Sequence, residues 1–333
     1  MERKLPPNPD VDKAGMYDDL VFSRAAILDP FVDKKQTFGK PMLAAKMEKR
    51  RLKYPLIGQP KIDGYRCIIK DGVAYSRSLK KLPNKSVQEW ARKNKELLEG
   101  FDGEIVVGDP NHENVFKRTA EVRQHGSRPD FTFVVFDLWN YRLPYSDRRF
   151  LLKEIFASIS IHRCTLIGEA VLSQWDEVEG LEKAMLDQGY EGIILRSPHG
   201  YYKNGRSTAN EGSLVKVKRF TDAEATITGY EPLLRNFNEP TISPTGYQVR
   251  SSHKEGKQAV AMLGKVVCDF TWPDGRKCEV KIGSGFEEAE RRKLWKVRES
   301  LPGKVVKFKY FGIGSDEAPR HPIFLGFRDK WDM

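Results

Sequence analysis

The sequence predicts an α+β fold in two domains, and three observations carry that expectation. Up to about residue 220, stretches with apolar residues at helical spacing alternate with short apolar runs of strand length. Beyond that point the texture becomes almost entirely strand-like, with one helical stretch. The chain is 333 residues long, which suits two domains at roughly 150 residues each. Composition agrees: 39% hydrophobic and 31% charged residues describe a chain with packed cores rather than a disordered one.

Taken in order, residues 1–40 are proline-rich at both ends and form an N-terminal extension, with one amphipathic stretch, 17–28, that predicts a helix. Two apolar runs within 65–78 flank Asp71-Gly72, a dipeptide that accepts positive φ at both positions and so predicts a tight hairpin. Residues 86–98 space Val87, Trp90, Leu97 and Leu98 as one helical face. Strands are expected at 104–107 and 131–138, helices at 147–159 and 176–186, and strands at 192–195 and 214–220. The first domain is therefore set at 41–220. In the second, 221–333, strands are expected at 224–230, 264–270, 277–282, 305–310 and 323–327, with a turn at Trp272-Pro-Asp-Gly275 and a helix over 286–300. Five short strands with one helix between the third and fourth match the layout of an OB-fold β-barrel. Residues 233–262 are polar and lack periodicity. They are too long for a plain connection, so a functional or unstructured loop is expected there.

Charge narrows the function classes. Lys plus Arg number 57 against 46 Asp plus Glu, a net +11, which points to an anionic partner such as nucleic acid. No apolar run approaches the roughly 20 residues needed to span a bilayer. The polar start MERKLPPNPD has no signal-peptide core, so a cytoplasmic, non-membrane protein is expected. The four cysteines and six histidines fit no zinc spacing or disulfide framework.

The sharpest local pattern is Lys61-Ile-Asp63-Gly64-Tyr65-Arg66. Four more follow in order: Phe101-Asp102-Gly103-Glu104, Phe133-Val-Val-Phe136-Asp137, Glu191-Gly192-Ile-Ile-Leu-Arg196 and Leu214-Val-Lys216-Val-Lys218. Together they resemble the covalent nucleotidyltransferase superfamily of ATP-dependent DNA ligases, RNA ligases and mRNA-capping guanylyltransferases. The resemblance implies an ATP-grasp-like adenylation domain of antiparallel sheets and helices, followed by the OB-fold barrel. It also makes Lys61 the site of a lysyl-AMP phosphoramidate formed from ATP. A lysine attacks phosphorus only when neutral, and a free one has a pKa near 10.4. Neighbouring cations and desolvation lower that value, and Lys216 and Lys218 are the expected cations, which also hold the α-phosphate. By the same resemblance, Arg66 and Glu104 contact the ribose, Phe136 stacks on the purine, and the backbone at Gln59 and Pro60 meets the adenine edge. Glu191, with Glu104 and Asp63, is expected to hold Mg²⁺, a cation that takes oxygen ligands together with phosphates.

Further features favour a DNA ligase. Pro41-Met42-Leu43-Ala44 resembles the opening of many ATP-dependent ligase catalytic domains. Ser76-Arg77, on the hairpin's second strand, matches the motif whose arginine engages the nick's 5′-phosphate. Lys281-Ile-Gly283-Ser284-Gly285-Phe286 resembles the stretch before the ligase OB helix. The tail through Arg328 and Lys330 resembles the last OB motif of bacteriophage-type ligases, which sets basic groups near the departing pyrophosphate. The resemblance spans residues 41–330 and implies a small monomeric ligase joining phosphodiesters in nicked duplex DNA, in a bacterial cell or phage-infected host. Closure and swinging of the OB domain would separate self-adenylation from AMP transfer to the nick, with Asp63 helping to orient the 3′-hydroxyl in the last step. Residues 233–262, with Arg235, Arg250 and Lys254, could reach around the duplex. An RNA ligase or a guanylyltransferase remains open, separable by the nucleotide captured and the substrate sealed. So does a non-catalytic OB-type nucleic-acid binder, which would form no adduct.

Overall fold

Two five-stranded sheets build the first part of the chain and a third builds the second. A computed structural model describes residues 14–112, 115–218, 220–314 and 317–328. It divides into two units, Met1–Val217 and Lys218–Met333. In the first unit, one sheet runs Ala45–Lys46, Leu214–Val217, Ile193–Arg196, Leu56–Pro60, Ala170–Leu172. The other runs Val73–Tyr75, Tyr65–Lys70, Phe101–Val107, Phe131–Leu138, Cys164–Leu166. Pairing is antiparallel except at one edge of each sheet, where Ala45–Lys46 lies parallel to Leu214–Val217 and Phe131–Leu138 parallel to Cys164–Leu166. The sheets are thus mainly antiparallel, as expected, with one parallel edge in each. The second exception arises because the helix Tyr145–Ser158 connects Phe131–Leu138 to Cys164–Leu166, and such a crossover returns the chain in the same direction.

The expected hairpin is present. Asp71 and Gly72 have φ of 51° and 70°, the left-handed pair such a turn requires. Asn84 caps the next helix by accepting a hydrogen bond from the Val87 amide at 3.1 Å. The expected single helix breaks at Asn94 into Lys85–Lys93 and Lys95–Leu98. Val87, Trp90, Leu151, Leu152 and Ile155 close over Cys67, Ile69, Phe101, Ile105 and Phe133 to form the main core. The helix Ala14–Leu28 joins that core through Leu20, Val21 and Ile27. The helix Trp175–Asp187 covers the other sheet, placing Val178 and Leu181 against Leu56, Leu172, Ile193 and Leu195.

In the second unit the strand order is Lys277–Ile282, Lys257–Thr271, Thr221–Asn236, Val305–Tyr310, Ile323–Phe327, with the helix Glu288–Lys296 between the third and fourth strands in sequence. The expected closed barrel is not formed as a ladder among the described residues. Its two ends meet through a single parallel bridge, Ser284 to Ile323, with the Phe324 amide donating to the Ser284 carbonyl at 2.8 Å. Gly285 turns the chain away there at φ 98°, and a Cβ on it would lie 2.4 Å from the Phe324 carbonyl oxygen. Phe286 then stacks on Phe324 with ring centroids 4.2 Å apart.

Residues 233–262 are not a loop, which corrects the second expectation. Residues 233–236 pair with 257–260, prolonging the two longest strands, and a two-stranded tip, Pro240–Ile242 with Gln248–Arg250, lies beyond. Register shifts between Ile227 and Gly229, Glu231 and Pro232, and Pro232 and Leu233 break the alternation that would have exposed the strands in sequence.

Candidate functional site

Lys61 sits where the chain crosses between the two sheets of the first unit. The strand Leu56–Pro60 belongs to one sheet and Tyr65–Lys70 to the other. The Lys61 amide donates to the Gly192 carbonyl at 2.8 Å, and the Glu191 amide donates to the Lys61 carbonyl at 3.2 Å. These bonds prolong the pairing of Leu56–Pro60 with Ile193–Arg196 and so fix Lys61 opposite Glu191. Gly64 lets the chain settle on the neighbouring strand, because a Cβ there would lie 2.5 Å from the Ile105 carbonyl oxygen.

The nearest partner of the Lys61 amine is a carboxylate. Nζ donates to Glu191 Oε2, and the two side chains are 22% and 13% exposed. The sequence had pointed to cations around this amine. An ammonium donating to a carboxylate has no lone pair to offer, so a proton must leave Lys61 before it can attack anything. Cations are nonetheless close by. Lys216 lies on Leu214–Val217, and its pKa is lowered by burial first and then by Arg206, Lys61 and Arg77.

Arg66 and Glu104 are directly opposite one another on paired strands. Arg66 grips the fully buried Asp102 with both edges, Nε to Oδ1 at 2.5 Å and Nη2 to Oδ2 at 2.6 Å. It also donates to the Met42 carbonyl at 3.1 Å, while the Tyr202 hydroxyl donates to Asp102 at 2.7 Å. Glu104 has no such support. Some of the residue reaches solvent, but its Oε2 is shut off without a hydrogen-bond partner. Burial pushes its pKa up to about 7, opposed by Arg66 and Lys61 and assisted by Asp102 and Asp63. An enclosed, unpartnered acceptor is the feature a ribose hydroxyl or a hard cation would satisfy.

Phe136 is 7% exposed and packs with Ile62, Val106, Val134 and Ile167. Arg66 and Arg196 lie 4.6 and 5.4 Å from its ring centre. Beside it, Asp137 receives Arg148 Nε at 2.7 Å and Arg196 Nη1 at 2.6 Å. Burial alone would raise the Asp137 pKa, but Arg148 and Arg196 outweigh it and hold the carboxyl below its ordinary value. Gln59 is locked beneath the site, donating to the Tyr145 hydroxyl at 2.7 Å and accepting from Arg196 at 3.1 Å. Pro60 ends the same strand.

The remaining candidates fall elsewhere. Ser76 and Arg77 lie in the turn after Val73–Tyr75 rather than on that strand, closed by Leu79 donating to the Ser76 carbonyl at 2.9 Å. The strand expected over 214–220 stops at Val217, so Lys218 does not share a strand face with Lys216. It belongs to the second unit, where its Nζ sits 3.7 Å from the centre of the Phe311 ring. Arg328 pairs with Glu224 there, and Lys330 lies outside the described residues. Arg235 approaches Glu288 at 3.5 Å, Arg250 donates to the Asn238 carbonyl, and Lys254 is exposed.

Glu191, Glu104 and Asp63 do not form the expected ligand trio. No group of three His, Cys, Asp or Glu side chains is placed to hold a metal among the described residues. Glu191 is engaged by Lys61 instead. The carboxylates fit Mg²⁺ only jointly with nucleotide phosphates, the usual arrangement for that ion. Sequence reading also missed the Asp102–Tyr202 and Asp137–Arg148–Arg196 groups. Asp102, Asp137 and Arg196 stand inside the quoted motifs, but their burial carries no signal in a strand pattern. No helix among the described residues is long and apolar enough to cross a membrane.

The comparisons with known proteins agree with this geometry. The family model for the ATP dependent DNA ligase domain matches residues 41–218, and that for the DNA ligase OB-like domain matches 255–328. The DNA ligase of African swine fever virus (isolate Pig/Kenya/KEN-50/1950) is 32% identical over 137 residues, covering 39% of this chain and 31% of the viral protein. That of Enterobacteria phage T4 is 32% identical over 98 residues, covering 29% of this chain and 19% of the phage protein. The chain thus spans less than a third of these relatives' length. A solved Lig E DNA ligase, 21% identical with a TM-score of 0.62, covers 88% of this chain and all of its own, a likeness of fold. With the catalytic-domain family model matched over more than half of its residues, the chain belongs to the ATP-dependent DNA ligase family.

Proposed function

We propose that this protein seals nicks in duplex DNA, using ATP and a covalent lysyl-AMP on Lys61. The observation that carries the reading is the meeting of Lys61, Glu191, Lys216 and Glu104 at the crossing between two sheets. In the first step the Lys61 amine forms a bond to the α-phosphorus as the bond to the β-phosphate oxygen breaks, releasing pyrophosphate. Before that, the proton that Lys61 donates to Glu191 passes to this carboxylate or to water, leaving a neutral amine. Lys216 repels the Lys61 ammonium and, with Arg77 and Arg206 beside it, offers positive charge to phosphate oxygens, the principal device in phosphoryl transfer. AMP then passes to the nick's 5′-phosphate, and the 3′-hydroxyl displaces it.

Glu104 supplies an acceptor for a ribose hydroxyl, Arg66 is braced for that contact by Asp102, and Phe136 lends its ring to the purine. Mg²⁺, held through Glu191 and Glu104 with the phosphates, would neutralise charge on the leaving group. Arg77, at the tip of its turn, is assigned to the nick's 5′-phosphate with Ser76. Arg235, Arg250 and Lys254 are assigned to the duplex, and Arg235 and Arg250 stand on paired strands of the arm, with Lys254 in the segment between Gln248–Arg250 and Lys257–Thr271. The protein would act as a monomer in the cytoplasm.

Incubation with magnesium and either labelled ATP or, in parallel, labelled GTP tests the reading directly. Wild-type protein should gain one adenylyl group, and Lys61→Ala should gain none. An adduct that persists in that variant, or capture of GMP in place of AMP, overturns it.

A further inference from the structure

The segment from Lys46 to Lys53 reads Lys-Met-Glu-Lys-Arg-Arg-Leu-Lys, five cations with one anion. Nothing in the adenylation chemistry uses it. A charge run of this kind is ordinarily a solvated surface, but two observations set this one apart. The first is register. Lys46 pairs with Lys216 across parallel edge strands, and Lys216 in turn pairs with Ile194, and Ile194 with Gln59. Paired positions in neighbouring strands present side chains to the same face. Lys46 therefore extends the row that carries Lys216, one strand spacing of about 4.8 Å further out, at the sheet's open edge. The Met47 amide donates to the Lys216 carbonyl at 3.2 Å, so the two strands are tied at that point.

The second observation is how the charges are held. After Lys46, residues Lys49–Arg51 form a tight turn. Its lone acid, Glu48, takes Arg51 at 2.6 Å and lies 3.7 Å from Arg50, and Lys49 lies 4.2 Å from the centre of the Trp175 ring. The turn is thereby fixed, while the Arg50 side chain stays 80% exposed. Lys46 and Lys53 are exposed.

We infer that this basic segment is a second phosphate-binding track, on which Lys46, Arg50 and Lys53 grip the sugar-phosphate backbone of the nicked duplex. The inference rests on the nick-sealing reading and adds to it a surface outside the adenylation motifs. Such contacts position the duplex without reading its bases. Each phosphate neutralised contributes about 0.9 to the salt slope of log K on B-DNA.

The test compares wild-type protein, Lys46→Gln/Arg50→Gln/Lys53→Gln and the charge-keeping Lys46→Arg/Arg50→Lys/Lys53→Arg. Affinity for nicked duplexes of two unrelated sequences is measured between 50 and about 200 mM salt. The neutral triple variant should lose about 2.7 from the slope, equally on both sequences, and the charge-keeping variant should retain it. A neutral variant with the wild-type slope overturns the inference, as does a charge-keeping variant that loses it. Wild-type protein that neither binds nor seals nicked DNA would instead sink the ligase reading beneath it.

Discussion

Replacing Glu104 with glutamine should stabilise the protein above neutral pH while impairing nucleotide capture. Burial lifts this carboxyl from 4.5 to about 7 in the folded state. At about 1.4 kcal/mol per pKa unit, the ionised form costs the fold at most about 3 kcal/mol. Water reaching the exposed part of the residue reduces that figure. The sign follows from proton binding. Between about pH 4.5 and 7 the folded protein holds a proton on Glu104 that the unfolded chain has released, so wild-type stability falls as pH rises through this window. Below it both states are protonated, and above it the full penalty is present. Glutamine has no charge to bury and escapes the penalty.

Urea unfolding of both proteins at pH 5 and pH 8 reads this directly. The difference between them should move by up to about 3 kcal/mol in favour of Glu104→Gln on going to pH 8. Parallel pH dependences in the two proteins would refute the argument, since Glu104 would then be as well solvated folded as unfolded. The same burial makes a functional prediction. A ligand that gives Oε2 a partner favours the ionised form, so ATP binding near pH 7 should release protons. Calorimetry in two buffers of different ionisation enthalpy would show it, and Glu104→Gln should abolish that release.

Other expectations concern separate parts of the molecule. Asp137→Asn should cost about 3–5 kcal/mol, because it leaves Arg148 and Arg196 buried without their counter-charge; a loss below 1 kcal/mol would mean the guanidiniums find water. Since the Asp137 pKa is held low, the wild-type advantage should persist above about pH 4 and fade only as acid protonates the carboxyl. Lys216→Ala should slow adduct formation on Lys61 by about 100-fold or more, by analogy with the loss of one preorganised charge-stabilising donor, and single-turnover labelling at an unchanged rate would remove it from the site. Replacing residues 238–255 by a short glycine turn deletes Arg250 and Lys254. It should weaken nicked-duplex binding and lower the salt slope by about 2; unchanged affinity at moderate salt would show that the arm does not touch DNA.

Legibility in the sequence followed how local the determinants were. Asp71-Gly72 set a hairpin by itself, because the φ it demands is a property of two adjacent residues. Four of the five strands of the second unit were readable because Ala225 and Ile227, Val266, Cys268 and Phe270, Val280 and Ile282, and Val306 and Phe308 are buried at alternating positions. Strands of three residues, such as Cys164–Leu166 and Ala170–Leu172, are too short to display any period. The arm stayed hidden because its bulges shift the alternation. Within the site, residue types at motif spacing were visible, but pairing was not. Asp102 and Asp137 stand opposite each other on adjacent strands, each neutralised by arginine from a different element. Nothing in a linear pattern distinguishes such a buried carboxylate from a solvated one.

The partner of Lys61 changes how its reactivity must arise. Read from the motifs alone, the amine loses its proton because cations crowd it. Lys216 does feel Lys61, Arg77 and Arg206, so that repulsion exists. Yet triphosphate drawn to those cations would neutralise them at the moment the nucleophile is needed. Repulsion by Lys216 and its neighbours is therefore strongest when no substrate is present, and it is then that Glu191 holds the proton in place. In the proposed reaction the decisive event is accordingly the departure of that proton, to Glu191 or to water, once substrate fills the site. Both groups hang from backbone positions fixed by the reciprocal bonds of Lys61 with Gly192 and Glu191. The exchange thus needs only side-chain rotation, with the strands left as they are. In that proposed role, such an arrangement keeps the lysine inert in the free protein and confines its activation to an occupied site.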